Sequence, residues 1–133
     1  MTVLPRHLAL TCALAALLSG CSSSHTPAVE TAMEDFGSSW GARDGARVCD
    51  LLSPEARSEV AEARGEPCPS GVLQERLPDP AAVSSVEVWG DEAQVRTATD
   101  TVFLAQFDTG WKVTAAGCSP RPGKPYDCVI SGG

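Results

Sequence analysis

Residues 86–95 read VEVWGDEAQV, and this stretch decides the fold. Apolar and polar residues alternate on both sides of a Gly-Asp turn signal, which is typical of two half-buried strands joined by a tight turn. The valines before the turn share one face of the first strand, whereas Glu87 and Trp89 share the other. The pattern therefore predicts an antiparallel hairpin with strands at 83–89 and 92–99.

Three further strands are expected after this hairpin. Residues 101–107 are apolar on both faces, as in a central strand, and a turn at 108–110 leads into alternating residues at 111–115. A Pro-rich loop at 119–125 then precedes a short edge strand at 126–130. The C-terminal half is therefore predicted to be an antiparallel meander.

The N-terminal half has the periodicity of helices. Apolar residues spaced by 4, 3 and 4 mark one face of a helix over 27–42, with Thr26 as its N-cap. They are Val29, Met33, Phe36 and Trp40. Asp44 can cap a second helix, and Ser53-Pro54-Glu55 opens a third, which Gly65 ends. Helices followed by a meander indicate an α+β fold, with the helices packed on one face of a curved antiparallel sheet.

The first 20 residues resemble the signal peptide of a bacterial lipoprotein. An apolar run of 11 residues follows Arg6 and is too short to cross a bilayer, which needs about 20. The run ends in Leu18-Ser19-Gly20-Cys21, which resembles a lipobox, so Cys21 is the expected lipidation site. An ordinary secretory signal is the alternative. The expected domains are a signal peptide at 1–20, the lipidated cysteine and a tether at 21–25, and a single α+β domain at 26–133.

Lipidation and charge together predict where the protein lives. A diacylglyceryl group brings two acyl chains, which is enough for stable anchoring, and the tether to His25 reaches at most about 14 Å. The domain is therefore expected at the outer face of the cell membrane. The chain has 10 Lys and Arg against 17 Asp and Glu, and losing Arg6 with the signal leaves 9 against 17. An acidic domain without a basic cluster argues against nucleic acid as a partner.

Four of the six cysteines remain once the signal is removed and Cys21 is lipidated. An even number in a small exported domain indicates two disulfides. Three pairings are open, and Cys49–Cys68 with Cys118–Cys128 is favoured because each pair closes a local loop. A Cys₄ zinc site is the alternative, but the spacings of 19, 50 and 10 contain no metal-binding knuckle.

Three features together resemble the nuclear-transport-factor-2-like superfamily. They are the amphipathic helix that ends at Trp40, the VEVWGDEAQV run at 86–95, and the GWKV hairpin at 110–113. In that fold a strongly curved sheet wraps a long helix to form a cone, and the resemblance covers 27–116. The whole chain also resembles small exported lipoproteins of high-GC Gram-positive bacteria, through its lipobox and its paired-cysteine tail.

Residues that could carry catalysis are scarce in the domain. His25 is the one histidine of the mature chain and lies in the tether, so neither a His-based triad nor a His-based metal site is expected, and no cofactor is implied. Some members of the superfamily are isomerases or dehydratases that use a buried acid. The resemblance therefore makes Asp35, Glu87 and Asp100 candidate pocket acids, although each is more simply interpreted as a solvated surface or turn carboxylate.

Aromatic residues are the other candidate binding groups. Four of them are expected to line a pocket or to fill the core, namely Phe36, Trp40, Phe103 and Trp111. Trp89 shares a face with Glu87 and is the candidate interface residue.

The sequence therefore predicts a membrane-anchored, extracytoplasmic module that binds without catalysis. Its expected partners are an envelope protein, a small apolar ligand or a second copy in a homodimer. The alternative is an isomerase- or dehydratase-like enzyme with a pocket carboxylate. A third hypothesis is a structural envelope module that dimerises through the outer face of its sheet.

Overall fold

The computed structural model describes residues 25–132, so the predicted signal peptide and the lipidation site at Cys21 lie outside the described residues. The helices are α1 (Thr26–Gly41), α2 (Gly45–Leu51), α3 (Pro54–Arg64) and α4 (Cys68–Gly71), followed by a 3₁₀ turn at Val72–Gln74. The strands are β1 (Val83–Trp89), β2 (Glu92–Thr97), β3 (Thr101–Phe107), β4 (Gly110–Arg121) and β5 (Lys124–Ser131). Helices followed by an antiparallel sheet make this an α+β fold, as predicted.

The start of α1 differs from the prediction by one residue. His25, and not Thr26, occupies the N-cap position, and its side chain makes no capping hydrogen bond. The carbonyl of His25 accepts a hydrogen bond from the Val29 N–H at 3.0 Å, so Thr26 already lies inside the first turn.

The other helix ends follow the local signals in the sequence. The Asp44 side chain caps α2 by accepting from the Arg47 N–H at 3.0 Å. Ser53 caps α3 in the same way, with its Oγ accepting from the Ala56 N–H at 3.2 Å. Gly65 ends α3 in the left-handed conformation, with φ of 64°.

The five strands form an open antiparallel sheet in the order β1-β2-β3-β4-β5. The sheet differs from the prediction at its C-terminal edge, where β4 continues to Arg121 and the expected loop at 119–125 is the tip of a hairpin. Arg121 pairs with Lys124, so the turn consists of Pro122 and Gly123 alone. Gly123 supplies a φ of 67°, which lets the chain reverse in so short a turn.

The core lies between the helices and one face of the sheet. Its residues come from both layers and include Val29, Phe36, Val48, Val95, Leu104 and Val113. Residues that alternate with these strand residues lie on the opposite face, which we call the outer face. Because the helices cover only one face of the sheet, the outer face is free to carry other features.

Two disulfides cross-link and stabilise the fold. Cys49–Cys68 joins α2 to α4, and Cys118–Cys128 joins β4 to β5. This is the pairing that the sequence favours. All four cysteines are used in it, so they do not form a Cys₄ zinc site. Loop closure gives each bond a contribution of roughly 3 kcal/mol to stability. Structural disulfides of this kind persist in oxidising compartments, so the protein is extracytoplasmic. Within residues 25–132 no helix is long and apolar enough to cross a membrane.

Candidate functional site

The space between α1 and the sheet is nearly filled. A cavity of about 30 Å³ remains between α1, the segment at 77–81 and the turn between β2 and β3, beside Met33, Phe36, Trp40 and Asp100. A single water needs about 10–15 Å³ by this measure, so the cavity has room for about two waters. Phe36 and Trp40 are therefore chiefly core residues, and a substrate-sized pocket does not open at this position.

Asp100 lies in the turn between β2 and β3, as the sequence suggests, but its side chain is half-buried at the wall of this inner cavity and is not fully solvated. Its two carboxylate oxygens accept hydrogen bonds from the backbone N–H groups of Gly117, at 2.9 Å, and Cys118, at 3.0 Å. Burial raises the pKa of Asp100 above its ordinary value, and the backbone hydrogen bonds partly oppose that shift. The side chain thus ties β4 to the turn that precedes β3.

The two other candidate acids lie apart from the inner cavity. Asp35 forms an ion pair with Arg47, with 3.4 Å between Oδ2 and the guanidinium nitrogen, and both side chains are half-exposed. Glu87 is exposed on the outer face, opposite Gln94. The structure therefore does not bring the three acids together. In the part of the chain that the structure describes, no three His, Cys, Asp or Glu side chains cluster as metal ligands.

A much larger concavity of about 570 Å³ lies on the outer face, and we call it the outer groove. Its volume falls in the range of small-molecule sites, which is about 300–1,000 Å³. Residues of all five strands line it, among them Trp89, Phe103, Ala105, Ala115, Tyr126 and Cys128. Small alanines form part of its floor, so the aromatic side chains stand above the sheet around an open space.

Trp89 and Phe103 reach the outer groove because of strand alternation. Val88 and Val102 pack toward the core, so Trp89 and Phe103, the next residues along their strands, point outward. Trp89 keeps 53% of its surface exposed, as expected for a residue that shares a strand face with Glu87. Phe103 is the member of the four predicted pocket or core aromatics that lies on the outer face, whereas Trp111 is buried against the helices.

The C-terminal hairpin supplies the other wall of the outer groove. The Tyr126 ring packs edge-to-face on Phe103, with 5.1 Å between centroids, and its hydroxyl accepts a hydrogen bond from Gln94 Nε2 at 3.2 Å. This contact explains why Gln94 is buried although it lies on the outer face. Cys128, two residues after Tyr126, fixes β5 to β4 through its disulfide with Cys118.

Sequence reasoning missed Tyr126 as a site residue, because it lies in the tail beyond the region of superfamily resemblance. The signal that could have found it is the spacing Tyr126-x-Cys128. The disulfide at Cys128 holds this stretch of β5 against β4, so an aromatic residue two positions away is also held close to the sheet. The partner ring, Phe103, could not be found in this way.

Charge is sparse inside the outer groove. Among the described residues that line it, Glu92 alone carries a charge, and it pairs across the strands with Trp89. Two cations of the neighbouring strand positions are held by backbone carbonyls: Lys112 Nζ donates to the Asp50 carbonyl at 2.8 Å, and Arg121 Nε donates to the Pro125 carbonyl at 3.0 Å. The groove therefore combines aromatic walls with one carboxylate.

No protein-family model matches the chain, and no curated protein matches it. Among solved structures, it is similar to a variant of Rv3472, a protein of unknown function from Mycobacterium tuberculosis. The two are 14% identical, the match covers 77% of this chain and 66% of that chain, and the TM-score is 0.33. A similarity of this size carries no argument about what the chain binds.

Proposed function

We propose that this protein is a lipid-anchored module on the outer side of the cell membrane, which binds its ligand or partner in the outer groove. The observation that carries the proposal is the groove itself, an open volume of about 570 Å³ walled by Trp89, Phe103 and Tyr126. A half-exposed tryptophan costs free energy in water, so its position beside a concavity favours a binding role. The inner cavity, at about 30 Å³, has no comparable room.

The lipid anchor is the second part of the proposal. His25, the first described residue, packs against Trp111 with 5.8 Å between ring centroids, next to the turn between β3 and β4. In an antiparallel meander the β1–β2 turn lies at the same end of the sheet. A tether from Cys21 reaches at most about 14 Å from His25, so this end, including Trp89, would face the membrane surface.

Metabolic labelling with an alkyne analogue of palmitate tests the anchor. We expect the full-length protein to take up the label and Cys21→Ala to lose it. Cys12→Ala is the matched control, because it removes a cysteine nine positions earlier in the predicted signal peptide and should keep the label. Labelling of Cys21→Ala at the level of the unmodified protein would contradict lipidation at this residue.

Binding in the outer groove is tested with Nile red, a neutral apolar dye, on the mature chain carrying Cys21→Ser. We expect Trp89→Ala and Tyr126→Ala to weaken dye binding, because each removes one aromatic wall. Val129→Ala is the control, since Val129 is 41% exposed but does not line the groove. Equal losses in the Trp89 and Val129 variants would mean that the dye reports general surface hydrophobicity, and the groove would lose its role.

One observation favours the enzymatic alternative, namely the raised pKa of Asp100 beside the inner cavity. The geometry opposes it, because the cavity beside Asp100, at about 30 Å³, has no room for a substrate, and the carboxylate is held by the Gly117 and Cys118 N–H groups. A catalytic acid or base needs a free position that a substrate proton can reach. We therefore assign Asp100 to the structure of the sheet and the binding role to the outer groove.

A further inference from the structure

The outer groove has a chemical bias that follows from its walls. Aromatic rings carry negative charge density on their faces, and a cation over such a face is attracted by it. Phe103 and Tyr126 already meet edge-to-face at 5.1 Å, and Trp89, on the opposite wall, keeps 53% of its surface free. An occupant therefore meets ring surface on two sides.

The charge inside the groove has the same sign as the ring faces. Glu92 is the charged residue among the described lining, and Trp89 lies directly opposite it in the strand pair. Gln94 donates one N–H group of its amide to Tyr126 and does not line the groove, so the described groove lining presents no side-chain amide donor to an anion. The remaining polar side chains of the lining include the hydroxyls of Thr114 and Ser131, which carry no charge.

The cations that flank the outer groove, Arg96 of β2 among them, do not line it. Lys112 lies beside Ala105 in the strand register, but its ammonium group is drawn to the Asp50 carbonyl. Arg121 is held on the Pro125 carbonyl, and neither Arg121 nor Lys124 lines the groove. The whole chain has a net charge of -7, so the surrounding field also attracts cations.

We propose that the outer groove selects small organic cations with an apolar body, such as alkyl- or aryl-substituted ammonium ions. The aromatic rings contact the apolar body of the ligand, their faces attract its ammonium group, and the Glu92 carboxylate supplies the counter-ion. This inference rests on the proposed function, that the outer groove is a ligand site, and it adds the class of ligand.

Three probes of similar size and different charge test the selection. Benzyltrimethylammonium is the cation, benzyl alcohol the neutral probe and phenylacetate the anion, each titrated into the mature chain carrying Cys21→Ser and followed by chemical shifts of the Trp89 indole. We expect the cation to bind with a dissociation constant on the order of millimolar, the neutral probe several times more weakly, and the anion weakest.

Glu92→Gln separates charge from shape, because it keeps the size of the side chain. We expect it to weaken binding of the cation about three- to fivefold and to leave the neutral probe unchanged. Glu62→Gln is the matched control: it makes the same charge change on α3, outside the outer groove, and should leave both affinities unaltered. An unchanged backbone spectrum of each variant verifies its fold.

The outcomes distinguish the inference from the proposed function. Equal affinity for the cation and the neutral probe, or equal effects of Glu92→Gln and Glu62→Gln, would overturn the cation selection and leave the groove as a ligand site. If none of the three probes, and not Nile red either, shifts the Trp89 indole, both the selection and the ligand role of the groove are wrong.

Discussion

The environment of Asp100 shifts the pKa of its carboxylate. Its carboxylate is half-buried beside the inner cavity, and burial raises its pKa above the ordinary 3.8 despite two backbone hydrogen bonds. An acid whose pKa is higher in the folded state than in the unfolded state stabilises the fold fully below its ordinary pKa. That contribution is lost as the pH rises through the folded value.

The direction of this pH dependence gives a prediction for Asp100→Asn, which removes the titrating group. We expect the free energy of unfolding of the unmodified protein, relative to that of Asp100→Asn, to fall as the pH rises from about 3 to about 7. Urea unfolding of both proteins at several pH values measures the difference, and all other carboxylates cancel in it. A difference that grows with pH would contradict the raised pKa.

Both the backbone conformation and the packing at Gly117 require a residue without a side chain. It has a φ of 65°, and a Cβ atom there would lie 2.7 Å from Val129 Cγ2 and 3.2 Å from Leu77 Cδ2. Gly117→Ala should therefore cost about 3 kcal/mol, from a strained φ and an overpacked contact together.

Gly123→Ala is the control for this position. Gly123 has a φ of 67°, but a Cβ atom would meet nothing within 4 Å, so the substitution should cost only the backbone strain, about 1 kcal/mol. Urea unfolding measures both losses. Equal losses would show that Gly117 is not packed as described.

At the residue scale, the sequence predicted the position of a side chain correctly where the pattern of a single strand determines which face it lies on. Trp89 follows from alternation alone, since its neighbour Val88 must face the core if the hairpin is half-buried. Phe103 could not be assigned, because a strand with apolar residues on both faces gives no sign of which face the helices cover. The turn position of Asp100 was predicted, but the burial of its carboxylate was not, because its partners, Gly117 and Cys118, come from a strand 17 and 18 residues away.

At the scale of elements, the β4–β5 hairpin links stability to the site. Cys118 and Cys128 face each other across the hairpin, and Tyr126 extends from it onto Phe103. The disulfide should therefore do more than lower the entropy of the unfolded chain. It should also hold one wall of the outer groove in place.

Removing each disulfide in turn tests this role. The double variant Cys118→Ala with Cys128→Ala should lose roughly 3 kcal/mol of stability and should bind Nile red more weakly than the unmodified protein. The double variant Cys49→Ala with Cys68→Ala should lose a similar amount of stability but keep its dye affinity, because that bond joins α2 to α4. Equal loss of dye affinity in both variants would contradict a local role for the hairpin disulfide.

The elements themselves were largely predictable from local signals. Caps at Asp44 and Ser53, the stop at Gly65 and the alternation in β1 all act within a few residues. The extension of β4 to Arg121 was missed because prolines in this stretch indicate a loop. Prolines are tolerated in edge strands, and here the disulfide and the Pro122-Gly123 turn keep the strands paired up to the tip.

At the scale of the whole molecule, the two faces of the sheet have different roles. The helices fill one face with a shared core, and the outer face carries a groove between Trp89 and Tyr126. The α+β class was predictable because the order of helices and strands is local information. The groove was not, because its walls come from Trp89 and Tyr126, which lie 37 positions apart in the sequence and on different strands. The resemblance to the nuclear-transport-factor-2-like superfamily stays a prediction.

The central claim is that the outer groove is occupied when the protein is anchored in its native envelope. Oxidative footprinting of Trp89 tests it most directly, by comparing the protein in native envelopes with the purified lipoprotein in lipid vesicles. The vesicles supply the same membrane contact without the other envelope components, and Trp40 and Trp111 serve as buried references. We predict that Trp89 is oxidised several times more slowly in the envelope, whereas exposed side chains of α3 are unchanged. Equal oxidation of Trp89 in both samples would contradict the account.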